Sequence, residues 1–234
     1  MITPFADHPI VREFNKLRKF FLLHESKESR NRIGEFRKFS YVIQKAGLEV
    51  AFDFVGSMNF GQSAPGSDVD LILYLECETY HHDCIQAQCK TWQMVHDYLL
   101  DSLIREYADQ PYNLQIIDAI NLKVLMDDLI LGRSDSDTLL RFAFYRSICR
   151  SVNSTLLRPY QERLLENQLL LDRIRPHIVH IFDSFTRDAS HNISMRKYQE
   201  RLQDDGVRIP PSVRRRIRWH LDSAQRYRDQ EANE

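Results

Sequence analysis

Apolar residues near the start of the chain recur every three or four positions, which is the spacing of one face of a helix. The first run consists of Ile10, Phe14, Leu17 and Phe21. A second run covers residues 30–45 and ends near Gly47. The pattern predicts a pair of amphipathic helices over residues 10–46.

Two short segments then change to the period of a β-strand, in which successive side chains face opposite sides. Residues 48–55 and 68–75 are rich in β-branched and aromatic residues and are bounded by turn-forming residues. In the second segment the pattern places on one face Asp68, Asp70, Ile72 and Tyr74, and on the other Val69, Leu71, Leu73 and Leu75. A long helix over 85–107 and a third strand over 112–120 follow.

Helical periodicity dominates from Leu122 onward. Residues 122–131 are predicted as a helix that stops near Gly132, and residues 137–157 form a long apolar-periodic stretch. Three further helical segments are predicted, separated by prolines. These prolines are Pro159, Pro176 and the pair Pro210–Pro211. These patterns predict an α+β fold, with a small mixed β-sheet and its helices over residues 1–132 and an all-helical domain over residues 133–234.

The composition is that of a globular protein with a sizeable core. The chain has 234 residues, of which 43% are hydrophobic and 28% charged, and its net charge is −1. No apolar run approaches the ~18 residues that a membrane span requires, and the first residues lack a secretory pattern. We therefore expect a cytoplasmic protein without a membrane partner.

The four cysteines show neither paired C-x-x-C spacing nor the framework of a disulfide-rich domain. They are Cys77, Cys84, Cys89 and Cys149. We expect free, partly buried thiols in a reducing compartment.

Charge is distributed unevenly along the chain. The central segment, residues 51–140, is acidic, whereas both flanking segments are basic. Solvated helix faces account for much of this asymmetry. An acidic metal-binding core, whose phosphate-bearing ligand is also held by flanking Arg and Lys side chains, is the functional interpretation.

The residues that best support a chemistry are Gly56, Ser57, Asp68 and Asp70. A strand that ends in Gly-Ser leaves backbone amides at its tip, and a glycine lets a phosphate approach them closely. The two aspartates are two positions apart on a strand, so both carboxylates face the same side. Such paired anions call for a hard cation such as Mg²⁺, although a turn cap followed by an exposed strand face is the purely structural alternative.

This stretch resembles the signature of the DNA polymerase beta-type nucleotidyltransferase superfamily, in particular its minimal or small members. The matching features are a hydrophobic residue, Gly-Ser, a loop with Gly61, and the run Ser67–Leu71, in which Asp and hydrophobic residues alternate. The resemblance is closest over residues 48–75, extends to about residue 131 and does not include the C-terminal half.

The resemblance implies that Gly56 and Ser57 bind a triphosphate and that Asp68 and Asp70 hold two metal ions, Mg²⁺ or Mn²⁺. A third carboxylate on a later strand completes the site in that superfamily, and this role falls on Asp118. Ser67 belongs to the matched run and is a further candidate for nucleotide binding, and Lys123 is a candidate contact to a phosphate because it follows Asp118 closely.

Asp118 has two competing interpretations. An aspartate in an apolar strand is costly to bury unless it binds something, which favours a ligand, but strand ends also carry structural aspartates. Asp53 also lies in an apolar strand, yet it precedes the Gly-Ser loop, where the superfamily has no ligand. We therefore prefer Asp118 as the third carboxylate.

Other polar clusters are weaker candidates. Adjacent residues on a loop rarely converge on one ion, which argues against His81, His82, Asp83 and Cys84. His177 and His180 have helical spacing without an acidic or Cys partner, and His191 receives no role. The basic cluster Arg214–Arg218 is either a solvated helix start or a contact to RNA or a triphosphate.

The expected activity is transfer of a nucleoside monophosphate from a nucleoside triphosphate to an acceptor hydroxyl, with release of pyrophosphate. We expect the acceptor to be a protein or a small molecule slightly more than RNA. Both a monomer and an oligomer are compatible with the sequence. Two alternatives from other classes are a catalytically silent nucleotide-binding or interaction module, comparable to an antitoxin, and an RNA-binding module that uses the basic C-terminal helix.

Overall fold

The computed structural model describes residues 3–77, 89–108, 112–187 and 189–231, and shows helices packed on both faces of a four-stranded mixed sheet. The strands are β1 (Val50–Phe54), β2 (Val69–Leu75), β3 (Leu114–Asn121) and β4 (Arg150–Val152). The helices are α1 (Pro9–Leu23), α2 (Lys27–Lys45), α3 (Gly56–Phe60), α4 (Lys90–Gln93), α5 (Asp101–Tyr107), α6 (Leu122–Leu131), α7 (Asp137–Ile148), α8 (Ser154–Glu166), α9 (Gln168–Arg187), α10 (Ala189–Asp204) and α11 (Pro211–Glu231). A π-helical stretch, Met94–Leu100, joins α4 to α5.

The sheet has the strand order β3-β2-β1-β4. Strand β1 is antiparallel to both β2 and β4, whereas β2 and β3 are parallel. The register pairs Ile72 of β2 with Asp53 of β1 and with Asp118 of β3. Because directly paired residues share a face, Asp53 and Asp118 lie on the face that also carries Asp70, two positions before Ile72.

The two faces of β2 enter different apolar clusters. Odd-numbered residues of β2, such as Leu71 and Leu73, pack in a cluster with residues of α2 and the α4–α5 region. Ile72 and Tyr74 pack in the other cluster, with residues of α1 and the helices after β3. The predicted assignment of alternate residues to opposite faces is confirmed, and the Asp70 face is the one covered by the C-terminal helices.

Several helix boundaries follow from local chemistry. The Ser26 hydroxyl accepts the backbone N–H of Ser29 at 3.1 Å and so caps the start of α2. Helix α6 covers the predicted residues and ends at Leu131, and the C-cap residue Gly132 has a φ of +65°, in the left-handed region.

Three features differ from the sequence prediction. Strand β4 interrupts the stretch 137–157 and pairs with β1, so residues 133–234 are not all helical. Its three residues are too few to show a period of two. Pro159 and Pro176 lie inside α8 and α9 rather than between helices, and the segment after β1 forms the short helix α3 rather than a loop.

One apolar cluster contains residues from both sides of the predicted domain boundary at residue 132, among them Ile72 and Phe142. Within the described residues, no helix is long and apolar enough to cross a membrane. The prediction of free thiols holds for Cys89 and Cys149 and is wrong for Cys77, which is disulfide-bonded. Spacing along the chain does not reveal which cysteines approach each other in space.

Candidate active site

Gly56 and Asp70 are in direct contact at the point where β1 passes into α3. The φ of Gly56 is +54°, in the left-handed region that favours glycine. A Cβ atom added to Gly56 would lie 3.2 Å from Oδ2 of Asp70. The backbone N–H of Val55 donates to the carbonyl oxygen of Asp70 at 3.1 Å. Any side chain at position 56 would therefore press on this carboxylate.

The Ser57 hydroxyl lies beside Gly56 and is 3.1 Å from the hydroxyl oxygen of buried Ser63. Ser63 is fixed by the start of α2. Its backbone N–H donates to the Ser29 hydroxyl at 2.9 Å, and its carbonyl oxygen accepts the Ser26 hydroxyl at 2.7 Å. The N-terminus of α2 therefore holds the group that orients Ser57.

Gln62 connects the loop between α3 and β2 to helices α1 and α10 through hydrogen bonds. Its side-chain amide donates to the carbonyl oxygens of Phe21 and His24 at the end of α1, each at 3.0 Å. Arg201 of α10 donates to the carbonyl oxygen of Gln62 at 2.6 Å and to its side-chain oxygen at 3.1 Å. Sequence reasoning missed both residues because these contacts span at least 38 residues of chain.

The Asp68 and Asp70 carboxylates differ in exposure. Asp68 is exposed and accepts a hydrogen bond from the Asn113 side chain at 3.1 Å. Asp70 is half-buried, and its pKa is raised from the ordinary value by burial and by the neighbouring negative charge of Asp68. Across the described part of the chain neither carboxylate forms an ion pair, and the pair therefore has the chemistry of a site for a hard cation.

Asp118 is on the same sheet face but is surrounded by donors. The Arg141 guanidinium forms an ion pair with Oδ1, which also accepts the Ala119 backbone N–H at 2.8 Å. The Tyr145 hydroxyl donates to Oδ2 at 2.7 Å. Burial, and then the charge of Asp118, raise the pKa of Tyr145 above its ordinary value, so this phenol stays protonated as a donor.

The competing carboxylate, Asp53, belongs to a buried structural network. Its side chain is fully buried and pairs with Arg146 at 2.7 Å, and it accepts the Tyr74 hydroxyl at 2.7 Å and that of Ser151. Burial and the charge of Asp53 raise the pKa of Tyr74. Its network ties β1 to α7 and β4.

A cavity of about 530 Å³ extends from Gly56 and Asp70 towards the C-terminal helices. Its wall is mainly apolar and carries several aromatic rings, among them those of Phe14, Phe60, Phe144, Phe185 and Tyr198. Burial raises the pKa of Tyr198 to about 12, and the charge of Asp70 adds to this shift. The cavity therefore joins a carboxylate and an exposed backbone at one end to flat apolar surfaces inside.

The other two predicted nucleotide contacts, Ser67 and Lys123, have different surroundings from Gly56 and Ser57. The Ser67 hydroxyl accepts the Ala64 backbone N–H at 3.0 Å and holds a turn of the loop before β2. Lys123 lines a separate cavity with Leu75, at the opposite end of β2 from Asp70. Five residues of strand separate these ends by about 17 Å, so the structure does not bring Lys123 to the candidate site.

Only some of the remaining candidates lie within the described residues. The cluster from His81 to Cys84 lies outside the described residues, as does the side chain of His191, and His177 and His180 are exposed on α9. In the basic cluster, Arg216 pairs with Glu13 of α1 at 2.7 Å and Arg214 donates to the carbonyl oxygen of Ile209 at 3.0 Å.

Within the described ranges, no group of three His, Cys, Asp or Glu side chains is placed to hold one metal ion. Asp68 and Asp70 form no ion pair among the described residues, whereas Asp118 is paired with Arg141. Comparisons with protein-family models, with curated proteins and with solved structures find no match for this chain.

Proposed function

We propose that this chain is a metal-dependent nucleotidyltransferase, which transfers a nucleoside monophosphate from a nucleoside triphosphate to an acceptor hydroxyl and releases pyrophosphate. The proposal includes a nucleotidyltransferase domain over residues 1–132, followed by a mainly helical part. The contact between Gly56 and Asp70 carries it, because backbone that a phosphate can approach lies beside a carboxylate that forms no ion pair among the described residues.

The phosphate end of the nucleotide is assigned to Gly56 and Ser57. The absence of a Cβ at position 56 leaves room next to the backbone. The Ser57 hydroxyl, held 3.1 Å from that of Ser63, donates to a phosphate oxygen while Ser63 satisfies its lone pair.

Asp68 and Asp70 are the residues that would hold Mg²⁺ or Mn²⁺. When bound, the metal neutralises the phosphates, activates the acceptor hydroxyl and stabilises the leaving pyrophosphate. The raised pKa of Asp70 reflects a carboxylate that gains from a nearby cation. Asp118, as the resemblance implies, is the candidate to take the proton of the acceptor hydroxyl.

The base is assigned to the aromatic cavity. Its rings offer flat apolar surfaces against which a planar base packs. Ser194 and the Tyr198 hydroxyl are hydrogen-bonding groups on its wall, and both belong to α10. The helices after β3 therefore contribute to nucleotide binding in this proposal.

A protein or small-molecule acceptor remains preferred over RNA. The isoelectric point of about 6.8 does not favour a polyanion. Arg214 and Arg216, from the basic start of α11, are engaged within the protein.

A catalytically silent nucleotide-binding module is the second candidate, and one observation favours it. Arg141 and Tyr145 occupy the Asp118 carboxylate, which the resemblance assigns to the metal site. Such a protein would bind nucleotide without turnover and would copurify with a partner.

Incorporation of label from each α-³²P nucleoside triphosphate, with Mg²⁺ or Mn²⁺, tests the proposal on fractions of protein, RNA and small molecules from a lysate. Label that requires the parent and is absent with an Asp68→Ala, Asp70→Ala variant of unchanged circular dichroism supports the enzyme and names its acceptor class. Metal-dependent nucleotide binding without label in any fraction favours the silent module. Salt-sensitive RNA retention that survives the double substitution favours an RNA-binding module.

A further inference from the structure

We propose that Arg141 is a built-in counter-ion that competes with metal for Asp118, so that the nucleotide-free protein binds metal through Asp68 and Asp70 alone. Asp118 becomes available only when Arg141 moves away. This inference rests on the proposed function, because it concerns the metal site of that reaction.

Arg141 and Asp118 are both largely shielded from water. Their side chains are 16% and 12% exposed, so solvent does little to screen their attraction. Oδ1 of Asp118 contacts Arg141 and accepts the Ala119 N–H, and Oδ2 accepts the Tyr145 hydroxyl. Both carboxylate oxygens therefore already accept hydrogen bonds from the protein.

Arg141 also contacts a second carboxylate, one helical turn earlier on α7. Its Nε lies 2.9 Å from Oδ2 of Asp137, whose side chain is 76% exposed. If Arg141 leaves Asp118, Asp137 still offers it a partner at the protein surface. The guanidinium can thus release Asp118 while remaining close to a negative charge.

The charges around the two halves of the site are unequal. Asp68 and Asp70 form no ion pair in the described residues, and both carry a carboxylate two positions apart on the same strand face. Asp118, in contrast, is already paired with a cation. A divalent ion gains more beside Asp70 than beside Asp118, where it meets the positive charge of Arg141.

Titration of Mn²⁺ into the metal-free protein, followed by electron paramagnetic resonance of the unbound ion, tests this competition without any turnover. The variant is Arg141→Met, which keeps the length of the side chain but removes its charge. The matched control is Arg105→Met, which removes an exposed arginine that also has an aspartate partner one turn earlier.

We expect the parent to bind Mn²⁺ and Arg141→Met to bind it more tightly by about fivefold or more, the range of an ordinary coupling between two sites. Adding Asp118→Asn to Arg141→Met removes this gain, and Arg105→Met matches the parent. Tyr145→Phe loses one donor to Asp118 and shifts the affinity in the same direction by less, which provides a test if Arg141→Met does not fold.

Equal or weaker Mn²⁺ binding by folded Arg141→Met, or by Tyr145→Phe if that variant alone is folded, overturns the inference. The proposed function fails in a different way, since the parent and its Asp68→Ala, Asp70→Ala variant would then bind Mn²⁺ identically. A parent that binds through Asp68 and Asp70, with no change in Arg141→Met, overturns only the role of Arg141.

Discussion

At the scale of single residues, Gly56 combines two constraints. Its left-handed φ disfavours any side chain, and a Cβ at this position would lie 3.2 Å from Oδ2 of Asp70, so the carboxylate would have to shift slightly. We expect Gly56→Ala to destabilise the protein by about 1–2 kcal/mol, the usual cost of this conformation for a non-glycine residue. It should also raise the KM for the nucleotide, because the added methyl group fills the space beside Asp70.

Thermal unfolding and nucleotide titration measure both effects, and the chain supplies a matched control. Gly34 lies inside α2, and a Cβ there meets no atom within 4 Å. Gly34→Ala should stabilise the helix by up to about 1 kcal/mol and leave the KM unchanged. Equal effects of the two substitutions would contradict the special role of position 56.

Asp70 makes the stability of the metal-free protein depend on pH. Burial and Asp68 raise its pKa in the folded state, so the folded protein holds this proton at pH values where the unfolded chain has lost it. Stability therefore falls as the pH rises from the ordinary value of 3.8 through the raised pKa. In Asp70→Asn this decrease disappears, and at neutral pH the Tm should be higher than that of the parent.

Thermal melts of parent and Asp70→Asn between pH 3.5 and about 8, in the presence of a chelator, measure this dependence. The same substitution should abolish metal-dependent nucleotide binding. If instead the Tm of Asp70→Asn is lower than that of the parent at neutral pH, the ionised carboxylate stabilises the fold. Nearby positive charge would then already compensate it, contrary to this account.

At the scale of elements, the loop between α3 and β2 positions the Ser57 hydroxyl through Ser63. Ser63→Ala removes this contact but keeps the backbone bonds to Ser26 and Ser29. Losing a hydrogen bond of about 1 kcal/mol should raise the KM for the nucleotide roughly fivefold, with kcat changed less. Steady-state kinetics measure this split.

The control for Ser63→Ala is Ser40→Ala on α2. Ser40 is also buried, and its hydroxyl contacts only the carbonyl oxygen of Val50 among the bonds described, at 3.4 Å. If both variants change the KM alike, Ser63 has only a structural role.

The sequence predicts those elements whose periodicity continues over several turns or alternations. The predicted pattern is found in α1, α2, α6 and both faces of β2. In these elements the apolar or polar character of each residue indicates whether its side chain is buried. Strand β4 has only three residues, and its pairing with β1 depends on contacts about 100 residues apart. No local pattern records such a contact.

The same limit applies to the candidate site. The proximity of Gly56 and Asp70 follows from a strand-turn-strand arrangement and was predictable. The ion pair between Asp118 and Arg141 joins β3 to α7, and local spacing does not reveal it. Lys123 follows Asp118 closely in sequence, yet the direction of β3 carries it to the far end of the sheet.

At the scale of the whole molecule, the buried network of Asp53 and Arg146 connects the sheet to the C-terminal helices. Arg146 also contacts Gln161 of α8 at 3.2 Å, so the network joins β1, α7 and α8. We expect Arg146→Met to leave Asp53 buried without its cationic partner and to cost about 3–5 kcal/mol of the free energy of unfolding.

Urea denaturation of Arg146→Met and of Arg105→Met measures the contrast between a buried and an exposed ion pair. Arg105 pairs with Asp101 at the surface, and removing it should change the free energy of unfolding by at most about 1 kcal/mol. Similar losses in the two variants would show that the Asp53 network does not hold the two parts of the chain together.

The most direct test of the central claim is the rate at which α-³²P-labelled nucleoside monophosphate is transferred to the fraction of the lysate that becomes labelled. The rate is compared between the parent, Asp70→Asn and the control Asp135→Asn. Asp135 is an exposed aspartate on the loop before α7. We predict metal-dependent transfer by the parent and by Asp135→Asn, and a loss of at least about a hundredfold in Asp70→Asn at an equal or higher Tm. Transfer by Asp70→Asn at the rate of the parent would contradict the assignment of this site.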